Sequence, residues 1–156
     1  MPRRGDNPRA DVGRLYDEYG AALYRYALMI LADPAGAEDA LHEVFAALLT
    51  RPVAIDDEPR YLRRAVRNAC YSALRCRLRT ASGPLLEVVG PDDRPEERLA
   101  LESAIRDLPP DQREVLHLHA FEGMTFQEIA DLAGESINTI SSRYRYALGK
   151  LRQMLT

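Results

Sequence analysis

The chain has 156 residues, of which 46% are hydrophobic and 29% charged, with a formal net charge of −3. This composition is typical of a globular protein with one domain or two small ones. Because no apolar run is long enough to span a membrane and the basic start lacks a following apolar segment, we expect neither a transmembrane helix nor a secretory signal. Cys70 and Cys76 cannot form a disulfide framework and lack zinc-ligand spacing, which indicates reduced thiols and a cytoplasmic protein.

Charge is distributed unevenly along the chain. Seven arginines and no acid lie between Arg60 and Arg79, and residues 136–156 are also basic and free of acids. Acids dominate 33–58 and 87–114. Two basic segments in an otherwise acidic chain predict two anion-binding surfaces, with acidic faces left for other contacts.

Helical spacing dominates the chain, and no sustained strand alternation is present. The first half predicts three helices: one capped by Asp11 and ended by Asp33-Pro34, one ended by Arg51-Pro52, and one that starts at Pro59 with outward-facing arginines. A polar loop over 53–58 separates the second helix from the third. The predicted core positions are Leu15, Tyr19, Leu23, Tyr26, Ala27 and Ile30, then Ala37, Leu41, Val44, Phe45 and Leu48, then Leu62, Ala65, Val66, Ala69, Ala73 and Leu74.

Prolines, glycines and acids interrupt the helical periodicity after the third helix. This composition predicts a linker over 80–95 between two small domains, 9–79 and 96–156. The second domain is predicted to begin with helices over 96–108 and 111–121.

The most informative local pattern follows those helices. Thr125-Phe126-Gln127-Glu128 has the form of a capping box, and it opens a helix of about two turns. Gly134 supplies a turn, and Ser136 can cap the next helix, which carries Ile137, Ile140, Tyr144, Ala147, Leu148 and Leu151 on its predicted apolar face. A short helix, a glycine turn and a longer helix with a basic outer face predict a helix-turn-helix.

The second helix of such a motif reads base edges in the major groove with its N-terminal residues. Asparagine pairs with adenine and arginine with guanine, whereas serine and threonine reach bases or phosphates. The predicted DNA-binding residues of this helix are Ser136, Asn138, Thr139, Ser141, Ser142, Arg143 and Arg145. A helical hairpin with a merely polar outer face is the alternative interpretation.

The basic helix in the first half differs because it interleaves Tyr61 and Tyr71 with arginines. Aromatic and arginine side chains together suit unstacked bases and a single-strand backbone, although tyrosines packed in a core are the alternative. His117 and His119 lie two residues apart on a helix and cannot chelate one ion. No nucleophile–base pattern or phosphate-binding glycine loop is present, so the sequence predicts no enzyme, no cofactor and no metal.

The layout resembles bacterial RNA polymerase sigma factors of the extracytoplasmic-function (ECF) group over about residues 11–155. The most specific segments are 108–115, 123–130 and 138–143, which are similar to the domain that binds the −35 promoter element. Segment 37–45 resembles the helix that docks on the polymerase clamp. Tyr61-Leu62-Arg63-Arg64-Ala65-Val66-Arg67-Asn68 resembles the helix that reads and melts the −10 element, and this likeness continues to Arg75.

The resemblance implies an all-α fold with two small helical domains joined by a flexible linker. It implies a factor that binds core RNA polymerase (the β′ clamp helices and the β flap), recognises −10 and −35 promoter DNA and promotes melting, with no catalytic residue of its own. The implied polymerase-binding residues are Glu38, Asp39, Leu41, His42, Glu43 and Phe45. The implied −10 residues are Asp56 and Asp57, in a loop that cups a flipped base, with Arg63, Arg64, Arg67, Asn68, Tyr71 and Arg75. The linker would run near the RNA exit route, and an anti-sigma factor is a further implied partner.

Four positions depart from the family pattern: His42 stands where glutamine is usual, Leu49 and Tyr61 where tryptophan is frequent, and Ser72 where aspartate is common. Two other classes of function stay open at this point. One is a stand-alone helix-turn-helix regulator that uses only the second half, and the other is an interaction protein that binds no DNA. The basic first half counts against the regulator, and Arg143→Glu would abolish DNA binding in every class except the last.

Overall fold

The computed structural model describes residues 8–51, 53–77 and 95–156. Within these ranges the chain is helical and has no strand, which confirms the all-α prediction. The helices are α1 (Pro8–Leu31), α2 (Pro34–Thr50), α3 (Glu58–Cys76), α4 (Pro95–Arg106), α5 (Pro110–Leu116), α6 (Phe126–Ala133) and α7 (Ile137–Leu155), and a π-helical turn, His117–Phe121, follows α5. The chain divides into two compact units, residues 1–80 and 81–156. In the described ranges no helix combines the length and apolarity that a membrane span needs.

The predicted linker lies outside the described residues apart from Pro95, which begins α4. In the N-terminal unit, α1 packs against α2 and α3, and α2 packs against α3. The apolar positions predicted for α1 and α2 form the core of this unit, except Tyr19, which is half-buried.

The buried stripe of α3 is narrower than the sequence predicts. Leu62, Val66 and Cys70 are fully buried, at a spacing of four residues that follows one side of a helix. The predicted core positions that are instead half-exposed are Ala65, Ala69, Ala73 and Leu74. Because α1 and α2 both cover the same side of α3, most of its circumference is left for other contacts.

Two helix starts differ from their predicted positions. α1 begins at Pro8 and not at Asp11, since a proline suits the first turn of a helix; Asp11 lies in that turn, where an acid favours the helix dipole. Asp57 caps α3, and its carboxylate accepts a hydrogen bond at 3.3 Å from a backbone amide one turn later. Glu58 therefore begins the helix, and the loop predicted over 53–58 ends one residue earlier.

The start of α2 is held by the end of α3. Asp33 precedes Pro34 at the helix start, as predicted, and its buried carboxylate lies 2.8 Å from Nη2 of Arg77, the residue that follows α3. Gly36 leaves room for this guanidinium, because a Cβ there would lie 1.7 Å from Nη2 of Arg77. The absence of a side chain at Gly36 thus permits an ion pair between two helix ends.

The C-terminal unit is built around a buried arginine. Arg113 of α5 donates hydrogen bonds from Nη1 to the carbonyl oxygens of Arg106 at 3.0 Å and Leu108 at 2.6 Å, where α4 ends. Because α4 ends at Arg106, these two carbonyls lack the amide partner that a continuing helix would supply, and the guanidinium takes its place. The apolar core around it comprises Ala104, Ile105, Leu108, Val115, Leu116, Leu118, Ile129, Ala130, Leu132, Ile140, Ala147 and Leu151.

The predicted helix over 111–121 is regular only as far as Leu116. The chain then widens into the π-helical turn, which the Glu122 amide closes on the His117 carbonyl at 3.0 Å. Gly123 follows with a φ of +72°, a conformation that glycine adopts without steric cost. The widened turn and the glycine redirect the chain toward α6.

We expect Gly36→Ala to lower the free energy of unfolding by about 1–2 kcal/mol, because the new methyl group displaces Arg77 from a nearly buried carboxylate. Gly13→Ala in α1 is the matched control, since a Cβ there meets nothing within 4 Å. It should raise stability by about 0.5–1 kcal/mol through helix propensity alone. Urea denaturation of the full chain, followed by circular dichroism, measures both, and equal effects of the two substitutions would contradict the close-approach explanation.

Candidate nucleic-acid interface

The capping signals predicted for the helix-turn-helix are confirmed. The Thr125 hydroxyl accepts from the Glu128 amide at 3.1 Å, and the Glu128 carboxylate accepts from the Thr125 amide at 3.0 Å. Gly134 ends α6 in the left-handed conformation with φ +68°. The Ser136 hydroxyl then accepts from the Thr139 amide at 3.1 Å and begins α7. Four local signals thus fix the angle between the two helices of the motif.

The outer face of α7 carries polar residues predicted to bind DNA. Asn138 and Arg145 are exposed, and Nη2 of Arg145 donates to the Ser142 hydroxyl at 3.2 Å. Ser141 is half-exposed on the flank of this face. Tyr146 is strongly exposed beside Arg145, and the sequence pattern missed it because a tyrosine in an amphipathic helix is expected on the apolar side. The face therefore combines amide, hydroxyl, guanidinium and aromatic groups.

The buried stripe of α7 is narrower than predicted, as it is in α3. Ile140, Ala147 and Leu151 are buried, whereas Ile137 is 44% exposed and Leu148 37% exposed. The prediction that these last two residues face the core is wrong. Both lie at the edges of the stripe, where the covering helices do not reach.

Arg143 lies on the flank of α7 and not on its outer face, which corrects its predicted orientation; its role in DNA binding stays a prediction. Its side chain is 21% exposed, with Nε 3.2 Å from Oδ2 of Asp111 and Nη2 3.4 Å from Oε1 of Glu135. Arg143 follows the buried Ile140 by three residues, which places it only about 60° from the buried direction of the helix. It therefore points along the flank of α7 toward α5.

An aromatic cluster supports the motif from beneath. The His119 ring stacks on Phe126 at 4.3 Å between centroids and meets the edge of Tyr144 at 4.7 Å. Nδ1 of His119 lies 2.8 Å from the carbonyl oxygen of Met124, in the turn before α6. His117 is buried elsewhere, with Nε2 3.2 Å from a Glu122 carboxylate oxygen. The two histidines therefore belong to separate structural clusters.

The basic face of α3 is accessible, as predicted. Arg64, Asn68 and Arg75 are exposed, and Arg63, Arg67 and Tyr71 are half-exposed. The guanidinium carbon of Arg67 lies 4.5 Å from the centroid of the Tyr71 ring, a cation–π geometry. Tyr61 is also exposed, which excludes the alternative of a tyrosine packed in the core. At the departure from the family pattern, the Ser72 hydroxyl accepts a hydrogen bond from Nη2 of Arg75 at 3.0 Å.

An open groove of about 690 Å³ runs between α2 and α3. The small side chains of Ala65 and Ala69 line the α3 side of the groove and leave it open, and Asn68 supplies a polar group. Tyr61 and Val53, which stands at the start of the loop, line it as well. The groove thus joins the loop to the basic face of α3.

The C-terminal end of the loop over 53–57, where α3 begins, is held by an ion pair between α1 and α3. Both carboxylate oxygens of Glu58 contact the Arg14 guanidinium, one of them at 3.4 Å, and Glu18 of α1 contacts it at 2.9 Å. Glu58 raises the pKa of Arg14 through these contacts. Asp57 is engaged in capping α3, whereas Asp56 is exposed in the loop. Sequence patterns could not reveal this pair, because its members lie 44 residues apart.

The acidic helix α2 presents four of its six predicted contact residues. Those exposed are Glu38, Asp39, His42 and Glu43. Leu41 and Phe45 are buried, which corrects their predicted role as surface contacts: they anchor the helix in the core. The Phe45 ring meets the ring of Tyr16 edge-on at 5.2 Å. The exposed face is consequently acidic and polar.

Two family models match the chain: Sigma-70 region 2 over residues 15–80, and Sigma-70, region 4 over residues 104–153. SigL, an ECF RNA polymerase sigma factor of Mycobacterium tuberculosis, is 31% identical over 153 residues, which cover 90% of this chain and 86% of SigL. The RNA polymerase sigma-E factor of Streptomyces coelicolor is 33% identical over 141 residues, covering 86% of this chain and 80% of that protein.

A solved structure shares the fold. The sigma factor RpoE from Bartonella quintana, co-crystallised with the anti-sigma factor NepR, has a TM-score of 0.71 at 21% identity, covering 93% of this chain and 96% of RpoE. A stand-alone helix-turn-helix regulator is not favoured, because the region 2 model matches the first half of the chain as well. The chain belongs to the ECF sigma factors, the RNA polymerase subunits that recognise promoters.

Proposed function

We propose that α2 docks this sigma factor on core RNA polymerase, α3 holds the melted −10 strand, and α7 reads the −35 duplex. In this proposal residues 9–79 form the region 2 domain, 80–95 the linker and 96–156 the region 4 domain. The observation that carries it is the accessible basic face of α3 beside an open groove, in the segment that matches region 2. A regulator that uses only the second half of the chain would not need this face.

The −10 assignment rests on the energy of strand opening. Unstacking a base costs a few kcal/mol, so the protein has to recover that energy by contacts to the separated strand. Stacking on an aromatic ring recovers roughly 1–3 kcal/mol for each base. Tyr71, oriented by Arg67, offers such a ring, and Arg64 and Arg75 can neutralise phosphates beside it. The groove between α2 and α3, which Val53 of the loop lines, offers space for a flipped base. Asp56 is exposed in the same loop.

The −35 assignment rests on the outer face of α7. Asn138 and Arg145 are exposed and able to make bidentate contacts with adenine and guanine. Ser142 lies between them, and the N-terminus of α7 favours a phosphate. Ser136, Thr139 and Ser141 complete the surface near the helix start.

The acidic face of α2 suits a basic protein surface, which the resemblance identifies as the β′ clamp helices. Glu38, Asp39 and Glu43 repel DNA, so this face and the two basic faces select different partners by charge. The β flap is the second polymerase contact in this proposal. Because the polymerase performs the chemistry, the sigma factor needs no catalytic group or cofactor in this proposal. It acts where the polymerase acts, in the cytoplasm. An anti-sigma factor is a further proposed partner, supported by the RpoE–NepR complex.

The whole proposal is tested by transcription in vitro with the full chain, core RNA polymerase and a library of duplexes with randomised promoter segments. We expect the holoenzyme to initiate on a subset that shares two conserved elements. If the chain does not bind core polymerase at low salt, the proposal is wrong.

On a promoter selected in this way, we expect Arg64→Ala to reduce strand opening about three- to tenfold and to lower the salt dependence of binding by about one phosphate contact. Arg25→Ala, which removes an exposed arginine from α1, is the control and should change opening less than twofold. The fluorescence of 2-aminopurine in the −10 element measures opening. Equal losses in the two variants would show a general charge effect and contradict a specific contact by α3.

Charge reversal tests the polymerase-binding face. Asp39→Arg should weaken binding to core polymerase at least about tenfold, because it places a cation against a basic surface. Asp17→Arg in α1 makes the same charge change at another exposed position and should leave the affinity within about twofold of the wild-type value. Anisotropy of the labelled full chain, titrated with core polymerase, provides both constants. Similar affinities for the two variants would exclude α2 as the docking helix.

A further inference from the structure

We propose that Arg143 is a positioning residue, which fixes the recognition helix by a double ion pair, and that it reads no base. The inference deepens the proposed function, since it assumes that α7 reads duplex DNA. It reassigns an arginine that sequence patterns place among the base-reading residues.

The contacts of Arg143 join three elements. Nε lies 3.2 Å from Asp111 in the first turn of α5, and Nη2 lies 3.4 Å from Glu135 in the turn between α6 and α7. A guanidinium has several donors in a rigid fork and can bind two carboxylates in fixed directions. Asp111 is itself held, because its Oδ1 accepts from the Gln112 amide at 2.9 Å. The side chain of Arg143 is 21% exposed, half the 41% of each carboxylate partner, so it forms the inner member of the cluster.

The direction in which the Arg143 side chain points keeps it away from the major groove of a duplex bound by the outer face of α7. Successive residues of a helix turn by 100°, so Asn138, Ser142 and Arg145 lie about 140–160° from the buried Ile140, whereas Arg143 lies about 60° from it. The three other residues therefore share the outer face. To reach a base, Arg143 would have to leave both carboxylates and swing around the helix.

The double ion pair also solves an electrostatic problem. Asp111 and Glu135 lie beside a helix that must approach phosphates, and unpaired carboxylates there would repel DNA. Arg143 neutralises them while it holds the start of α7 against α5 and the turn. Since a small error in helix position misaligns every base contact at once, such a residue affects affinity at all positions of the site alike.

The test uses the full chain bound to core polymerase and a duplex library randomised over the −35 segment. Base preferences are read from the selected sequences, and affinity is measured on the best selected duplex. We expect Arg143→Gln to weaken binding about three- to tenfold and to preserve the preferred base at every position. Arg143→Lys should weaken binding less than Arg143→Gln but still measurably, because an ammonium group neutralises the two carboxylates but lacks the fork.

Two variants of the carboxylate partners distinguish a positioning role of Arg143 from base reading, even if Arg143→Gln fails to fold. Asp111→Asn and Glu135→Gln each leave Arg143 intact, and each should weaken binding about two- to fivefold because one contact of the fork is lost. Asp131→Asn, which removes an exposed acid of α6 outside the cluster, is the matched control and should weaken nothing. The thermal unfolding midpoint should stay unchanged in all three, which separates helix positioning from loss of fold.

Opposite results overturn the inference. If Arg143 reads a base, Arg143→Gln should weaken the base preference at one position of the −35 segment and leave the preferences at the other positions unchanged. Base reading also predicts that Asp111→Asn and Glu135→Gln bind more tightly than Asp131→Asn, since the arginine is released to contact DNA. If the wild-type holoenzyme selects no −35 sequence, the proposed function of α7 is wrong and this inference falls with it. If the wild type does select a −35 sequence but the variants give either of the two results above, only the inference is wrong.

Discussion

The burial of one narrow apolar stripe on each of α3 and α7 is the constraint on which the exposed polar surfaces of both helices depend. In α3 the stripe is Leu62, Val66 and Cys70, and in α7 it centres on Ile140 and Ala147. A stripe at this spacing fixes the rotation of a helix about its axis, because any other rotation exposes apolar side chains and buries charged ones. It also leaves most of the circumference accessible. The same packing that stabilises each unit therefore determines which side chains of α3 and α7 are exposed at the surface.

Arginine has two physical roles in this chain. One group lies on the exposed faces of helices, where the charge is available to phosphates. A second group binds the end of a neighbouring helix: Arg14 at the start of α3, Arg77 at the start of α2, Arg113 at the end of α4 and Arg143 at the start of α5. Helix ends carry backbone groups without partners and flanking acids, and a long planar guanidinium reaches them from an adjacent element. Small units with little apolar surface to bury gain defined geometry in this way.

Local signals made much of the fold predictable. The capping box at Thr125, the cap at Ser136 and the Asp33-Pro34 boundary act within one turn of the chain, so residue order alone reveals them. The contacts of the second group of arginines could not be predicted, since their partners lie on other elements of the fold. For the same reason the ion pairs of Arg143 could not be predicted: a basic residue early in a recognition helix fits the pattern of a base reader, and the acids that it contacts lie on neighbouring elements.

The distinction between the two groups also bears on how such a protein can change its promoter preference. An exposed residue such as Asn138 can be replaced without disturbing a packed neighbour, so under the proposed function its substitution would alter one base contact. Replacing Arg143 leaves Asp111 and Glu135 without their common partner, so in the proposed positioning role it would weaken binding to every promoter alike. Substitutions that change promoter preference are therefore expected on the outer face of α7. The arginines that bind helix ends keep the helices in position, and this constancy lets the exposed residues vary.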